Sequence, residues 1–168
     1  MAHYAKIGLN NKVVAVVPVD DNIIINADNR EDDDLAITHL VRTTGWPFWI
    51  KCSYNTKAGK HWTADQEESD TQEKALRKNF PGVGWTYDEE KDAFIPPKPS
   101  ASFVLNEDKC IYEPPINSPS TGHNVVDGKN IPYVITWNEA NQRWQASDTV
   151  ADAEDKYWDP DTSTWIDI

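Results

Sequence analysis

The residues able to do chemistry are scattered through the chain, and none stands at the spacing that chemistry requires. The four histidines, His3, His39, His61 and His123, show neither His-x-x-x-His nor Glu-x-x-His spacing, so no zinc site is expected. Two cysteines, Cys52 and Cys110, are too few for a disulfide framework. Cys52 beside a histidine would make a nucleophile pair, but no local pattern supports one. A buried structural thiol is the better reading, and both thiols are expected to be reduced, with a single bridge left open. Gly82-Val83-Gly84 lacks the third glycine and the following helix of a phosphate loop, and reads as turn chemistry. Asp159-x-Asp161-x-Ser163 opens like a calcium loop, but Thr164 stands where the sixth-position glycine is needed. Glu31-Asp32-Asp33-Asp34 suits the positive end of a helix better than a metal, because no second ligand cluster is spaced to complete a coordination sphere. A carboxylate pair for glycoside hydrolysis could hide among 28 acids, yet none sits on a recognisable scaffold. The chain is therefore read as non-enzymatic, with no catalytic residue, no metal and no cofactor.

The aromatic residues carry more information. A unit recurs four times in the second half: an aromatic or Leu, then Asp or Asn, then five residues, then an aromatic. The copies are Tyr87-Asp88 to Phe94, Leu105-Asn106 to Tyr112, Trp137-Asn138 to Trp144 and Trp158-Asp159 to Trp165. Glu89, Glu107, Glu139 or Pro160 follows the Asx. That pattern is a β-hairpin. Asx starts a type I turn by bonding backbone further on, and Pro or Glu suits the next position. A four-residue loop then sets the outer residues opposite each other, a pair that contributes about 0.2–1 kcal/mol. An isolated hairpin is marginal, so each unit needs a surface to lie on. Trp85, Trp137, Trp144, Trp158 and Trp165 could stack on sugar rings, but the fixed pair spacing is better explained by cross-strand packing. Trp137, Trp144, Trp158, Trp165, Tyr112 and Phe103 are the candidate interaction residues.

The elements that position them can be read in order. Residues 4–19 form a first hairpin around Asn10-Asn11, with Pro18 ending regular pairing or lying on an edge. Ile23-Ile24-Ile25 is a candidate short strand. Residues 31–43 are the one convincing helix: acids in the first turn, Arg42 in the last, Gly45 as the stop. Its expected buried face is Ile37, Leu40, Val41 and Thr44, with Leu35 beside it. A strand over 48–54, with Phe48, Ile50 and Cys52 alternating, turns at Asn55 to Gly59 and resumes at His61-Trp62. Residues 64–72 are an exposed acidic loop, and Val83 to Tyr87 is a strand. Ile95-Pro96-Pro97-Lys98-Pro99 must be extended, as must Pro114-Pro115 and Pro119. Ser118 to Lys129 reads as a loop, and Asp148 to Asp155 as one short helical turn.

The expected fold class is mainly β with one helix, an α+β chain. A compact domain over 1–95 is followed by a Pro-linked string of β-hairpins over 96–168, with units at 105–112, 137–144 and 158–165. About 70 residues without disulfides or metal bury little by themselves. The hairpins must stack on each other, pack on the first domain, or adhere to another subunit. The net charge of −12, with no clustered Lys or Arg, argues against nucleic acid. No apolar run approaches the ~18–20 residues of a membrane span. The opening MAHYAKIG lacks an apolar signal-peptide core, so a soluble protein made in a cytoplasm is expected. Eight Trp and eleven Pro favour short strands with rigid turns, and Trp is common at interfaces.

The segments CSYNT (52–56), ALRKNFPGVGWTYDEEKDAFIPPKP (75–99), LNEDKCIYEPP (105–115) and WNEANQRW (137–144), with the opening YAKIGLNNKVV, resemble small proteins of tailed phages of marine bacteria, cyanobacterial phages especially. The likeness is most specific over 75–99 and weak over 20–45 and 145–168. Those proteins are mostly uncharacterised or labelled virion structural proteins, and they supply no catalytic residue to carry over. The resemblance implies a component of a virion, assembled in the host cytoplasm. Its expected partners are other virion proteins and further copies of itself, through contacts in the tail, baseplate or fibre-attachment region. The alternatives are capsid decoration and a carbohydrate-binding module that touches a host glycan. Nucleic acid and membrane are not expected partners.

Overall fold

The computed structural model describes residues 2–119, 122–126, 128–147 and 155–168, with the side chains of Asn124 and Val126 left out. The chain is mainly β, with one long helix and several small antiparallel sheets among the described residues. It divides into two compact units. The first holds residues up to Pro97 and also Leu105–Ile111; the second holds Lys98–Val104 and Tyr112–Ile168.

The first unit is built on a three-stranded sheet. Strands β1 (Ala2–Ile7) and β2 (Val13–Val19) form the expected hairpin, with Asn10 and Asn11 at φ of 55° and 56° in the connecting turn. Asn tolerates that left-handed backbone because its short polar side chain bonds locally. Strand β3 (Trp49–Cys52) adds to the other side of β1, so the order is β2-β1-β3 and Pro18 lies on an edge strand. An edge position leaves no partner waiting for the missing proline N–H.

Alternation along these strands sends side chains to two faces, and both are covered. Ala2, Tyr4, Val19 and Trp49 face the side that carries Ile24, Ala36 and Leu40. Ala5, Ile7, Val13 and Cys52 face the side that carries Phe94, with Phe80, Trp85 and Tyr87 around it. A register shift between Lys6 and Ile7 pairs Ile7 with Val13 and keeps both on this second face.

Helix α2 (Asp33–Thr44) covers the first face. Asp32 caps it by accepting from the Asp34 N–H at 3.0 Å, and Gly45 ends it at φ 69° with its N–H on the Val41 carbonyl. The buried stripe is Ala36 and Leu40, with Ile37 half-buried, while Leu35 and Val41 are exposed. This corrects the expected face of Ile37, Leu40, Val41 and Thr44. Ala36 carries no bulk that marks it as a core residue, yet its smallness lets the helix approach the sheet. The acidic run does more than cap. Lys51 of β3 meets Glu31 Oε2 and Asp33 Oδ1 at 2.8 Å each, and the fully buried Tyr4 donates its hydroxyl to Asp33 at 2.9 Å. Burial works against ionising Asp33, but the hydrogen bonds from Lys51 and Tyr4 outweigh it and hold its pKa below the ordinary value.

Two local expectations are overturned here. Ile23-Ile24-Ile25 is no strand: Asp21–Ile24 forms a helical turn, α1, capped by Asp20 on the Asn22 N–H. Asp20 is a good cap, and the turn drops Ile24 into the core. In the strand over 48–54, Phe48 is exposed and the buried residues are Trp49 and Cys52, because both faces of β3 are covered rather than one.

The second face is covered by the first of the four hairpin units, β6 (Thr86–Asp88) with β7 (Ala93–Ile95). Val83 lies outside β6 and is exposed, so the strand expected from Val83 starts later. A smaller hairpin, β4 (Thr56–Lys57) with β5 (Lys60–His61), turns through Ala58 and Gly59, both at positive φ. Strands β8 (Val104–Asn106) and β9 (Ile111–Glu113) make the second hairpin unit. Its tip, Leu105–Ile111, was expected in the Pro-linked second part and instead belongs to the first unit.

Asn79 is the reason. It is 2 % exposed. Its Nδ2 lies 3.1 Å from the Phe94 carbonyl, 3.0 Å from that of Lys109 and 3.2 Å from that of Cys110. Its Oδ1 accepts from the Ala58 N–H at 2.8 Å. One amide thus joins the β4–β5 turn, strand β7 and the β8–β9 loop, which have no sheet in common. Asn79→Ala leaves those backbone groups unpaired in a dry site, and should cost about 3 kcal/mol or more. Asn79→Asp, which has no N–H to donate, should cost no less. Urea midpoints of the two variants check this, and a loss under about 0.5 kcal/mol would show that the clamp is dispensable.

The second unit is a meander with an extra hairpin. Strands β10 (His123–Val126) and β11 (Lys129–Pro132) pair antiparallel, with Val126 opposite Lys129. The stretch expected as a loop over Ser118 to Lys129 is therefore partly a hairpin. Asp-Gly is a strong two-residue hairpin signal, and Gly128 has the positive φ of 75° that such a turn requires. Strands β12 (Val134–Asn138), β13 (Arg143–Ser147), β14 (Lys156–Asp159) and β15 (Thr164–Asp167) join into one four-stranded antiparallel sheet. The third and fourth units are thus one sheet, not separate beads on a string. The helical turn expected over Asp148 to Asp155 falls outside the described residues but for Asp155.

Candidate functional site

The hairpin units share one loop. Asp88, Asn106, Asn138 and Asp159 each accept from a backbone N–H two or three residues on, at 3.0 to 3.1 Å. The fourth loop residue is left-handed each time: Asp92, Cys110, Gln142 and Ser163. None of them is glycine, so sequence carries no mark of this strained position. The loop sets the outer residues in register. Tyr87 faces Phe94, Trp137 faces Trp144 and Trp158 faces Trp165. The ring centroids of these pairs lie 5.2, 5.2 and 5.4 Å apart, in tilted or edge-to-face contact.

Register also decides the faces of the four-stranded sheet. Trp144 and Ala146 share a face, Ala146 pairs with Lys156, and Lys156 and Trp158 share a face. All four tryptophans of the last two units therefore lie on one side, with Ile135, Ala146, Lys156 and Asp167. The other side carries Thr136, Arg143, Gln145 and Tyr157, and there Arg143 stacks on Tyr157 at 4.3 Å.

Segments of the same unit cover the Trp face. Phe103 is buried and meets Trp137 edge to face at 5.7 Å. The Trp144 indole N–H donates to the Ile116 carbonyl at 2.9 Å, within the Pro-rich stretch. Tyr133 meets Trp165 edge to face at 5.7 Å. Glu139 fastens the cover. It accepts from the Ser102 N–H, the Ser102 hydroxyl and the Trp137 indole N–H, each at 2.8 Å. Those bonds, Trp137 first, hold its pKa below the ordinary glutamate value. Tyr112 stands apart, half-buried with Lys98 Nζ 6.0 Å from its ring centre.

The six candidate residues are thus not one site. Five are gathered at the Trp face and its cover, while Tyr112 lies beside Lys98 instead. Glu139, Ser102 and Tyr133 were missed. Glu139 reads as an ordinary turn residue until Ser102, 37 positions away, is brought beside it.

The remaining chemistry-bearing groups stay dispersed. His3 stacks on Tyr54 and meets Phe80 edge to face, while His61 lies on β5 and His123 on β10. Among the described residues no three His, Cys, Asp or Glu side chains are grouped as metal ligands would be. Cys52 and Cys110 are free and buried, and burial pushes the Cys52 thiol up to about 12 and raises that of Cys110. Burial of this kind disfavours the thiolate, the form that attacks electrophiles. Compared with protein-family models, with curated proteins and with solved structures, the chain has no match.

Two measurements test this description. Native protein should leave both thiols unreacted with an aromatic disulfide reagent, and denaturant should release two per chain. A depressed folded pKa at Glu139 means that its contribution is present above the unfolded value and is lost as pH falls through the lower folded one. The Trp137 indole N–H resonance should therefore move on acidification below the ordinary value of 4.5. In Glu139→Gln, which keeps an acceptor but cannot ionise, that resonance should hold still.

Proposed function

We propose that this chain is a non-enzymatic structural or accessory protein of a tailed-phage virion, holding other virion proteins through its surface in the tail, baseplate or fibre-attachment region. The observation that carries the reading is apolar surface left bare at one end of the first unit. Leu9 is 88 % exposed, Phe48 65 % and Val14 47 %. They gather about the end of β1: the Ile7 N–H bonds the Phe48 carbonyl, Leu9 sits in the turn after Gly8, and Val14 lies against Gly8. Apolar groups grouped in this way favour a protein partner over water. The resemblance read in the sequence of residues 75–99 and 105–115 suggests the setting, and the net charge of −12 suits a particle surface away from the genome.

Capsid decoration is the alternative within the same reading. Roughly six or twelve copies per particle would assign the protein to the tail, and some hundreds to the capsid shell. The double variant Leu9→Asp with Phe48→Asp tests the surface itself. Both residues are exposed, so the variant should unfold within about 0.5 kcal/mol of the parent. It should also fail to enter particles when it replaces the parent chain. Normal incorporation of a normally folded variant would remove this surface from the account.

A further inference from the structure

The two tryptophan pairs follow one sequence pattern, yet they end in different surroundings. Trp137 and Trp144 are half-buried but tied down: both indole N–H groups are bonded within the unit, and Phe103 packs on Trp137. Trp158 and Trp165 instead line an open groove of about 920 Å³. The Pro115–Pro119 stretch forms its other wall, and Pro160 lies at its end. That volume lies within the roughly 300–1,000 Å³ of sites for small ligands.

The lining is selective in its chemistry. Beside the two indoles and the prolines, its polar groups are Asn117, Ser118, Ser163 and Thr164. Each can both donate and accept a hydrogen bond, and among the described residues no ionisable side chain lines the groove, in a chain of net charge −12. Among the described residues no group accepts from the Trp158 indole N–H. The indole planes are 63° apart, so they offer two walls rather than one flat shelf. Asp159 and Asp161 flank the lining on the same hairpin loop and disfavour an anion.

We infer that the groove between the Pro115–Pro119 stretch and the Trp158–Trp165 hairpin is a binding site for a neutral saccharide. A sugar ring presents polarised C–H groups on its faces and hydroxyls on its rim. The faces suit the electron-rich indoles, and the rim hydroxyls suit the amide and hydroxyl groups, which exchange donor and acceptor roles as a sugar requires. A peptide partner would bring backbone and charged groups for which the lining holds no ion pair. This site is independent of the virion reading, because it rests on the second unit and that reading rests on the first.

A printed array of neutral and anionic oligosaccharides, probed with the full chain, tests the inference. The expected result is retention on neutral glycans and not on anionic ones. Trp158→Ala should reduce it by about tenfold or more. Because Trp158 also packs in the sheet, Thr164→Arg is the second variant. Thr164 is exposed at the groove, so this change fills the site without touching the core, and it should reduce retention as much. Val134→Lys, at an exposed position outside the groove, should retain the parent signal. No retention on any neutral glycan, retention that survives Thr164→Arg, or equal retention on anionic glycans would each overturn the inference. So would sedimentation showing that the groove is closed by a second copy, with Thr164→Arg restoring the monomer.

Discussion

Two short strands joined by a tight loop can set two aromatic rings against each other, but they cannot cover the outer side of those rings. Water stays on that side unless another layer arrives. This one shortfall governs the architecture, because the chain repeats such a hairpin four times and each copy must find a cover. The Tyr87–Phe94 copy finds it on the open face of the three-stranded sheet, where Phe94 is fully buried among Ala5, Ile7, Val13 and Cys52. The tip of the Leu105–Tyr112 copy is held by Asn79, through backbone carbonyls rather than through apolar area. The last two copies merge into one sheet, and the Trp137–Trp144 copy takes its cover from the segments around Phe103 and Ile116.

The proline-rich stretches change meaning in that light. They look like links between independent pieces, and extended backbone is what they supply. In the second unit one of them also makes the second layer of a small core. Proline suits that role, since it lies flat against aromatic rings and has no N–H to strand in a dry place. Such a cover is thin. It fastens the Trp137–Trp144 pair, where Glu139 adds three hydrogen bonds, and it leaves the Trp158–Trp165 pair lining a groove. The difference between a structural pair and a candidate binding pair thus comes from what lies opposite, not from the pair.

Much of the local structure was legible in the residues. Asn10-Asn11 marked the first hairpin, the acids and Gly45 bounded the long helix, and the Asx spacing set the aromatic pairs in register. The misreadings share one cause. Ile23-Ile24-Ile25 has strand composition, but a capped turn buries Ile24 against the sheet. The helix presents Ala36 rather than Val41, because closeness to the sheet mattered more than bulk. Phe48 lies just before β3 and is exposed, and Trp49 is buried because β3 is covered on both faces. The Asp127-Gly128 signal was present and passed over among the surrounding loop-forming residues.

The candidate site divides along the same line. By itself the sequence determined that Trp137 would meet Trp144 and Trp158 would meet Trp165, because turn chemistry and strand alternation act over a few residues and need nothing from the rest of the chain. Only the tertiary structure decided that all four rings share a face, that Ser102 reaches Glu139 from 37 positions away, and that one pair has both indole N–H groups bonded while the other lines a groove. Those outcomes depend on which distant segment lies over each ring. Hairpin spacing carries no record of that choice, since the same loop serves a covered pair and an open one equally well.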